Sequence, residues 1–489
     1  MDTAAKRIKP KPCILLRSLR RPRSLLCAPL ARLPSSVPRS SVPPHRELPR
    51  VDAVSEAMMA LDTDRCPGSI FTALTFRGTP DIAALAQATR HLQQTFPDTV
   101  SRLQERRIGL RFQLLRVVER DPPPMEVLSL ELHGRSITET LAAHFAERSA
   151  KRVDLYTQLP SSFHLVSFSA DLHAMVFYFH HVAADGTTAL AMFRTLFARY
   201  EQILHGKAPE WAQASDLASS AGRQVQPNTQ RVLGAMVREG RMHKQHPVIR
   251  LGSTAGQKEP KRYQISFTLT ETETAAVAHR ARALKATVND LLCVSAARAI
   301  DAQLGHPEGT QSIWVPANAR GATGENQANQ TTSINIDLIR AERQQAGAML
   351  AAFVQRRRHN LEIGRDVVTL RLLERLVAAA RLFPARVRQP WMNRLFAQPT
   401  TFMVSNLGIL WPHKVDGKFT TQSRLTHAGG LEILDFLVDF ATFDNTGHEM
   451  AAWTFGGRFT AVFSAYEQVM PRAAAERLIA LTRGFLVDW

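Results

Sequence analysis

An apolar strand that runs directly into two histidines is the feature that most restricts how this chain can fold. Residues 174–179 are all apolar or aromatic, which predicts a strand buried on both faces. The run ends where His180 and His181 begin. The sequence therefore predicts that both histidines lie at the end of a buried strand.

A loop and a helix are predicted to follow that strand. Asp185 and Gly186 break the chain, and apolar residues at helical spacing recur between 190 and 197. Thr187 or Thr188 is predicted to cap the helix, since hydroxyl side chains favour the first position of a helix. The polar residues thus occupy a corner between a strand and a helix.

A histidine in such a corner can take a proton from a hydroxyl, amine or thiol, because its unperturbed pKa is about 6.5. Adjacent residues of a strand point to opposite sides, so we expect one histidine to face a cavity and the other to support it. Asp185 would need a positive partner if buried, which favours a structural role. The alternatives are that the histidines are only a polar strand end or a fragment of a metal site.

The spacing His180-His181-x-x-x-Asp185-Gly186 resembles the His-His-x-x-x-Asp-Gly motif of a large superfamily. It comprises the chloramphenicol acetyltransferases, the condensation domains of nonribosomal peptide synthetases and the wax ester synthase-type acyltransferases. The resemblance implies an α/β fold with mixed sheets, in which two similar halves form a pseudo-dimer with a tunnel at their interface. It also implies that His181 is the general base, that His180 and Gly186 support the site, and that Asp185 holds it together through an arginine.

A second resemblance concerns that arginine. Residues 314–320, Trp-Val-Pro-Ala-Asn-Ala-Arg, are similar to a Val-Pro-x-Asn-x-Arg strand of the superfamily. Arg320 is therefore the predicted partner of Asp185, since a guanidinium pairs bidentately with a carboxylate and stays charged when buried. A solvated arginine in a turn is the alternative.

Two further stretches resemble parts of the same fold. Ser405 and Asn406 lie in a segment similar to the strand that lines the tunnel, and either could donate a hydrogen bond to the oxyanion of a tetrahedral intermediate. Residues 287–300 resemble the Asn-Asp helix of wax ester synthase-type enzymes. There, Asn289 and Asp290 could be capping residues and nothing more.

Four segments are predicted along the chain: a disordered extension 1–57, an N-terminal half 58–204, a crossover linker 205–260 and a C-terminal half 261–489. The extension contains twelve Lys or Arg against four Asp or Glu, with repeated Pro and Ser. It resembles a transit peptide but lacks a signal-peptide core. Translation could equally begin at Met58 or Met59, and a start there would lower the net charge from +18 to +10.

The secondary-structure pattern is regular outside the extension and the linker. Strands are predicted at 70–76, 111–118, 163–169, 263–269, 333–338 and in a hairpin at 451–464, and helices at 81–92, 137–148, 232–242, after Thr270 and at 471–486.

Composition limits the classes of function. The chain of 489 residues with 45% hydrophobic content can bury a large core, and it has no run of about 18 apolar residues for a membrane span. Its cysteines, Cys13, Cys27, Cys66 and Cys293, have no metal-binding spacing. We expect a monomer in the reducing cytoplasm, without metal or cofactor.

The resemblance implies an acyltransferase that moves an acyl group from acyl-CoA or an acyl-carrier protein to an alcohol or amine. The basic composition would suit coenzyme A phosphates or an acidic carrier protein. A catalytically inactive binding or scaffold protein is the alternative. Nucleic-acid binding is disfavoured because the arginines are scattered along amphipathic stretches without aromatic stacking motifs.

Overall fold

The structure, a computed structural model, describes residues 50–207, 227–252, 261–318, 329, 331–396, 400–415, 418–423, 425–440, 442 and 448–489. All of them belong to one compact unit that spans Glu47–Trp489.

The described helices, in chain order, are α1 Ala53–Leu61, α2 Ile82–Thr95, α3 Ile137–Ser149, α4 Gly186–Leu204, α5 Thr229–Gln245, α6 Glu271–Ala283, α7 Val288–Leu304, α8 Ala346–Glu362, α9 Arg365–Ala380, α10 Ala385–Phe396 and α11 Arg472–Val487. The described strands are β1 Ser69–Arg77, β2 Ser101–Ile108, β3 Arg111–Val118, β4 Glu126–Ser129, β5 Ser161–Ser167, β6 Leu172–His180, β7 Arg262–Thr268, β8 Thr310–Asn318, β9 Thr331–Ile339, β10 Phe402–Ile409, β11 Pro412–Val415, β12 Lys418–Ser423, β13 His427–Ala428, β14 Leu431–Asp439, β15 His448–Phe455 and β16 Arg458–Tyr466.

The first sheet has the strand order β13-β14-β1-β6-β5-β4. Its central strands β1 and β6 are buried along almost their whole length, as expected for apolar strands covered on both faces. Helix α4 packs on one face, where Phe177 and Phe193 stack with ring centroids 4.0 Å apart. Helix α3 packs on the other, where Phe145 lies 5.6 Å from Tyr178. Strand β6 is thus held in the middle of the first half.

The second sheet has the order β7-β16-β15-β10-β8-β9. Successive residues of β15 alternate between two cores. Met450 and Ala452 pack with helices α7 and α11, whereas Ala451 and Trp453 pack with the core of the first half. One face of the second sheet therefore lies against the first half of the chain.

The C-terminal half also contributes strands to the first sheet. β14 lies in the C-terminal half of the sequence but pairs antiparallel with β1, so that Phe71 lies opposite Asp439. The predicted segment 261–489 is thus not a self-contained half. The strand pairing that joins it to the first sheet is long-range, which local periodicity does not reveal.

The helices refine two other predicted boundaries. Helix α1 begins at Ala53 and is buried, so the extension predicted to end at residue 57 ends before this helix. Asp52 caps the helix by accepting a hydrogen bond from the Ser55 N–H at 2.7 Å. The predicted linker contains helix α5. Residues 1–49, predicted to be disordered, lie outside the described residues.

The predicted fold class is confirmed: the protein is a mixed α/β structure with two large sheets. Most predicted elements are present with shifts of one to three residues at their ends, including the motif strand and the closing hairpin. In the described residues no helix is long and apolar enough to cross a membrane.

Candidate active site

The predicted corner is formed by the end of β6 and the start of α4. Neighbouring backbone holds both sides of the strand end: the His180 N–H donates to the Pro160 carbonyl at 2.7 Å, and the His181 N–H donates to the Gly68 carbonyl at 2.9 Å. The backbone of the adjacent segments therefore fixes the main chain of both histidines independently of any side-chain contact.

His180 is fully buried inside a polar network. Its Nδ1 accepts a hydrogen bond from the Val182 N–H at 3.0 Å, which assigns the ring proton to Nε2. Nε2 lies 3.4 Å from Asp62 Oδ2, a long contact that is more electrostatic than hydrogen-bonding. Asp62 in turn accepts hydrogen bonds from Arg152 Nε at 2.7 Å and the Gly68 N–H at 2.8 Å.

The ionisation of Asp62 follows from these contacts. Burial alone would raise the pKa of its carboxyl group, but the contacts with His180, Arg152 and the Gly68 N–H outweigh burial and lower the pKa below its usual range. An ionised Asp62 thus faces the proton on His180 Nε2 and keeps the imidazole in one orientation.

His181 has a different environment and is only half-buried. Its backbone carbonyl accepts a hydrogen bond from Asn329 Nδ2 at 2.7 Å, and the same amide lies 3.4 Å from His181 Nδ1. Burial lowers the pKa of the His181 imidazole below its usual range, and His180 adds to this, while a hydrogen bond with its own backbone and the charge of Asp185 oppose it. The imidazole is therefore neutral near neutral pH and able to accept a proton.

Asp185 is buried and caps helix α4. Oδ1 accepts hydrogen bonds from the Thr188 N–H at 2.9 Å and the Thr188 hydroxyl at 3.0 Å, and Oδ2 accepts one from the Thr331 hydroxyl at 3.0 Å. The prediction that Thr187 or Thr188 caps the helix is wrong, because the extended backbone at Asp185 lets its carboxylate reach the free N–H. Arg320, its predicted partner, lies outside the described residues.

Gly186 brings the motif against the second sheet. A Cβ atom at this position would lie 2.7 Å from Leu407 Cδ2, well inside van der Waals contact. The first turn of α4 therefore lies directly against β10, the strand that carries Ser405 and Asn406.

Ser405 and Asn406 are both half-buried on β10, opposite Ala451 and Ala452 of β15. The Asn406 side-chain oxygen accepts a hydrogen bond from the Gly408 N–H at 2.7 Å, which leaves the Nδ2 group as its donor for other partners. Gly408 has φ +73°, a left-handed conformation that favours glycine. The oxyanion role stays a prediction for both residues.

Asn289 and Asp290 lie on α7, where Thr287 is the capping residue. Thr287 Oγ1 accepts from the Asp290 N–H at 3.1 Å, and Asp290 Oδ2 accepts from the Thr287 N–H at 2.7 Å, which forms a capping box. The prediction of a cap near Asn289 is therefore corrected to Thr287. Asp290 also forms a bidentate ion pair with Arg357, with distances of 2.5 and 2.9 Å.

Sequence reasoning missed Asp62, Gly68, Asn329 and Thr331, which contact the motif from other segments.

It also missed Glu449, a buried carboxyl on β15. Glu449 lies two residues before Ala451, the partner of Ser405, so both side chains are on the same face of the sheet. Burial raises the pKa of Glu449 well above its usual range. A charged residue within an otherwise apolar strand was the available signal.

A cavity of about 580 Å³ lies elsewhere in the C-terminal half and is lined by residues that include Leu284, Arg358 and Trp489. His181 is not among the residues that line it. The tunnel at the interface of the two halves stays a prediction.

Comparisons with known proteins agree with this architecture. Residues 70–304, which include the whole motif corner, match the family model of the Condensation domain. The chain has the condensation-domain fold. A search of curated protein sequences finds no match.

Several solved structures are similar over nearly the whole chain. The first condensation domain of the calcium-dependent antibiotic synthetase, in complex with a substrate analogue, has a TM-score of 0.62 and 15% identity, covering 91% of this chain and 97% of that one. TRI3 trichothecene 15-O-acetyltransferase from Fusarium sporotrichioides has a TM-score of 0.64 and 11% identity, with coverages of 88% and 93%. The starter condensation domain of rhizomide synthetase, in complex with C8-CoA, has a TM-score of 0.59 and 12% identity, with coverages of 89% and 94%.

Proposed function

We propose that this protein is an acyltransferase that moves an acyl group from a thioester, either acyl-CoA or an acyl-carrier protein, to an alcohol or an amine. The observation that carries the proposal is His181: a neutral, half-buried imidazole fixed at the end of β6 in a condensation-domain fold. The names of similar structures, an O-acetyltransferase and a domain with C8-CoA, describe those proteins and support the class of reaction.

His181 is the proposed general base. Its Nδ1 lies 3.4 Å from Asn329 Nδ2, and Nε2 is the proposed proton acceptor. Nε2 takes the proton of the acceptor hydroxyl or amine while the acceptor oxygen or nitrogen attacks the thioester carbonyl carbon. The tetrahedral intermediate then collapses, the carbon–sulfur bond breaks, and the proton on Nε2 passes to the leaving thiolate. The products are an ester or amide and a free thiol.

His180 is proposed to position the base. It is buried beside Asp62, and its backbone is continuous with that of His181. Any rotation of this side chain would disturb the contacts with Asp62 and the Val182 N–H, so the network keeps the strand end in one conformation.

Oxyanion stabilisation is proposed for β10. Its contact with Gly186 puts the strand beside the motif. Ser405 Oγ is a hydrogen-bond donor on the face that it shares with Ala451, towards the first half, whereas Asn406 is on the opposite face with Ala452. A positioned donor of this kind stabilises a transition state by about 2.7–4 kcal/mol in enzymes where it has been removed.

The test is thiol release by the purified full chain with a panel of acyl-CoA donors, paired with alcohol and amine acceptors. We expect acceptor-dependent thiol release, with formation of the acylated acceptor by mass spectrometry, for at least one pair. Tight binding of acyl-CoA without turnover for any acceptor would favour the inactive binding protein instead. Acyl-carrier protein donors form a second panel, since the two donor types share only the thioester.

A further inference from the structure

Large apolar side chains are exposed in two segments that are distant in the sequence. One is the turn of the β2–β3 hairpin, where Leu110 is 76% exposed and Ile108 is 46% exposed. The other is the turn before α10 together with α10 itself, where Leu382, Phe383, Val387, Trp391 and Leu395 are exposed by 37–56%. Side chains of this size usually pack into a core, so their concentration here needs a partner.

Helix α10 is amphipathic on its exposed side. Val387, Trp391 and Leu395 are spaced four residues apart and form one stripe along the helix. Arg386 and Arg394 are also exposed and lie beside this stripe. Residues 381–396 contain four arginines and no acidic residue.

The hairpin turn has the same chemistry. Gly109, with φ +60°, and Leu110 form a two-residue turn that projects from the strands. Arg106, Arg107 and Arg111 are exposed around it, and residues 106–111 contain no acidic residue.

These two segments form one surface, because the backbone and a buried ion-pair network join them. The Phe112 N–H donates to the Arg381 carbonyl at 2.6 Å. Glu105 Oε1 accepts hydrogen bonds from the Ala385 N–H at 2.6 Å and from the buried Arg388 at 2.9 Å. The nearest acidic side chain on the hairpin is thus used internally. We call residues 106–111 and 382–395 together the basic apolar patch.

We propose that the basic apolar patch docks the protein on the surface of an anionic phospholipid bilayer. Apolar side chains on a helix and a projecting turn can enter the interfacial region of a bilayer, where tryptophan is favoured, while flanking arginines contact lipid phosphates. The absence of acidic residues from residues 106–111 and 381–396 removes repulsion from the anionic headgroups.

Docking would be peripheral, as no described helix is long and apolar enough to span a bilayer. It would deliver the protein to a surface where apolar substrates are concentrated, which goes beyond the chemistry proposed for His181. The docking proposal does not depend on turnover.

The test is flotation of the full chain with phosphatidylcholine vesicles, with and without about one third phosphatidylserine. The double variant Leu110→Ser/Trp391→Ser removes apolar contacts, and Arg107→Gln/Arg394→Gln removes two charges. Each should weaken binding to the anionic vesicles by about ten-fold or more, since each basic residue near the surface and each buried apolar side chain contributes separately. Added salt should also weaken binding of the wild-type chain to the anionic vesicles, because it screens the charges.

Matched controls come from other exposed surfaces. Val127→Ser/Leu304→Ser removes comparable apolar side chains, and Arg90→Gln/Arg477→Gln removes the same charge. The basic segment 1–49 is present in every variant, so its contribution cancels. Melting curves must show that all variants fold.

Equal vesicle binding by patch and control variants would overturn the proposal. The proposal would also be overturned if the patch variants bound vesicles like the wild-type chain but no longer bound an acidic carrier protein. The patch would then be a protein-binding surface. Selective loss of vesicle binding in both patch variants, with unchanged melting temperatures, supports docking on lipid.

Discussion

Asp185 and Thr331 join the two halves of the protein: the Thr331 hydroxyl of β9 donates to Asp185 Oδ2 at 3.0 Å, while Oδ1 caps helix α4. A single buried carboxylate therefore fixes the start of the helix after the motif and ties it to the second sheet. The structural role predicted for Asp185 can be tested through this pair.

Asp185→Asn should destabilise the protein. The amide oxygen can still accept from Thr188, and the NH₂ group can donate to the Thr331 hydroxyl, but both contacts lose the negative charge of the carboxylate. We expect a loss of about 1–3 kcal/mol in the free energy of unfolding, the range for hydrogen bonds to a charged group. Denaturant melts of both proteins measure it.

Thr331→Val is the matched control, because it removes only the hydroxyl at the other end of the bond. The double variant should cost less than the sum of the single variants, since both act on one contact. Full additivity would show that Asp185 and Thr331 are not coupled, and an unchanged melt for Asp185→Asn would contradict its structural role.

The two histidines should respond differently to alanine. His181→Ala removes the proposed base and should lower kcat/KM by about 10²–10⁴, with a smaller change in donor affinity. His180→Ala empties a fully buried site beside Asp62, so it should lower the melting temperature at least as much as it lowers the rate. Steady-state kinetics, donor binding and melting curves on both variants separate these effects. Full activity of His181→Ala would rule out His181 as the base.

Gly68→Ala should also disturb His180, because it adds a methyl group next to the buried imidazole. Its Cβ would lie 2.9 Å from His180 Nε2 and 3.5 Å from Asp62 Cβ, so the buried network must shift. We expect a loss of about 1–3 kcal/mol in stability, as for other overpacked sites. Gly240→Ala, in the exposed part of α5 with open space around it, is the control and should be neutral or stabilising. Equal melting temperatures for both variants would mean that the network around His180 can rearrange without a loss of stability.

The pH dependence of the rate follows from the environment of His181. Burial lowers its pKa, so the imidazole becomes the neutral, proton-accepting form at a lower pH than an ordinary histidine. With an alcohol acceptor, kcat/KM should rise with pH with a midpoint below about 6.5, the value of an ordinary histidine, and then stay flat. A profile of acyl transfer between pH 5 and 9 tests this, corrected for acceptor-independent hydrolysis. A midpoint above pH 7 would contradict the lowered pKa.

The sequence predicted the local structure of the site well, because that structure depends on local patterns. The apolar run before His180 gave the motif strand, and the periodicity after Gly186 gave helix α4. The cap was misplaced because Asp and Thr both favour that position, and only the backbone conformation decides between them.

The contacts that come from distant segments were not predictable in the same way. β14 pairs with β1 across the chain, and Asn329 and Thr331 reach the motif from a polar stretch with no periodic signal. Their positions depend on how the two sheets pack, which spacing within one strand or helix does not specify. The basic apolar patch also needed the structure, since its two segments are separated by about 270 residues of sequence.

Glu449 offers a test of the buried face of the second sheet through stability alone. Burial raises the pKa of its carboxyl group well above the usual range, so the folded state holds the proton more tightly than the unfolded chain. Between the unfolded pKa, about 4.5, and the folded pKa, unfolding releases a proton. The stability of the wild-type chain should therefore fall as pH rises through this window.

Glu449→Gln keeps the shape of the side chain but cannot ionise. The variant and the wild-type chain should have similar stability near pH 4, and the variant should gain on the wild-type chain by up to about 1.4 kcal/mol for each pH unit above that. Denaturant melts at pH 4, 6 and 8 measure the difference. Glu131→Gln, at an exposed position, is the matched control for the substitution. A difference for Glu449→Gln that is constant from pH 4 to 8 would mean that the carboxyl group is solvated in the folded protein, and that the face of the sheet it shares with Ser405 is open to water.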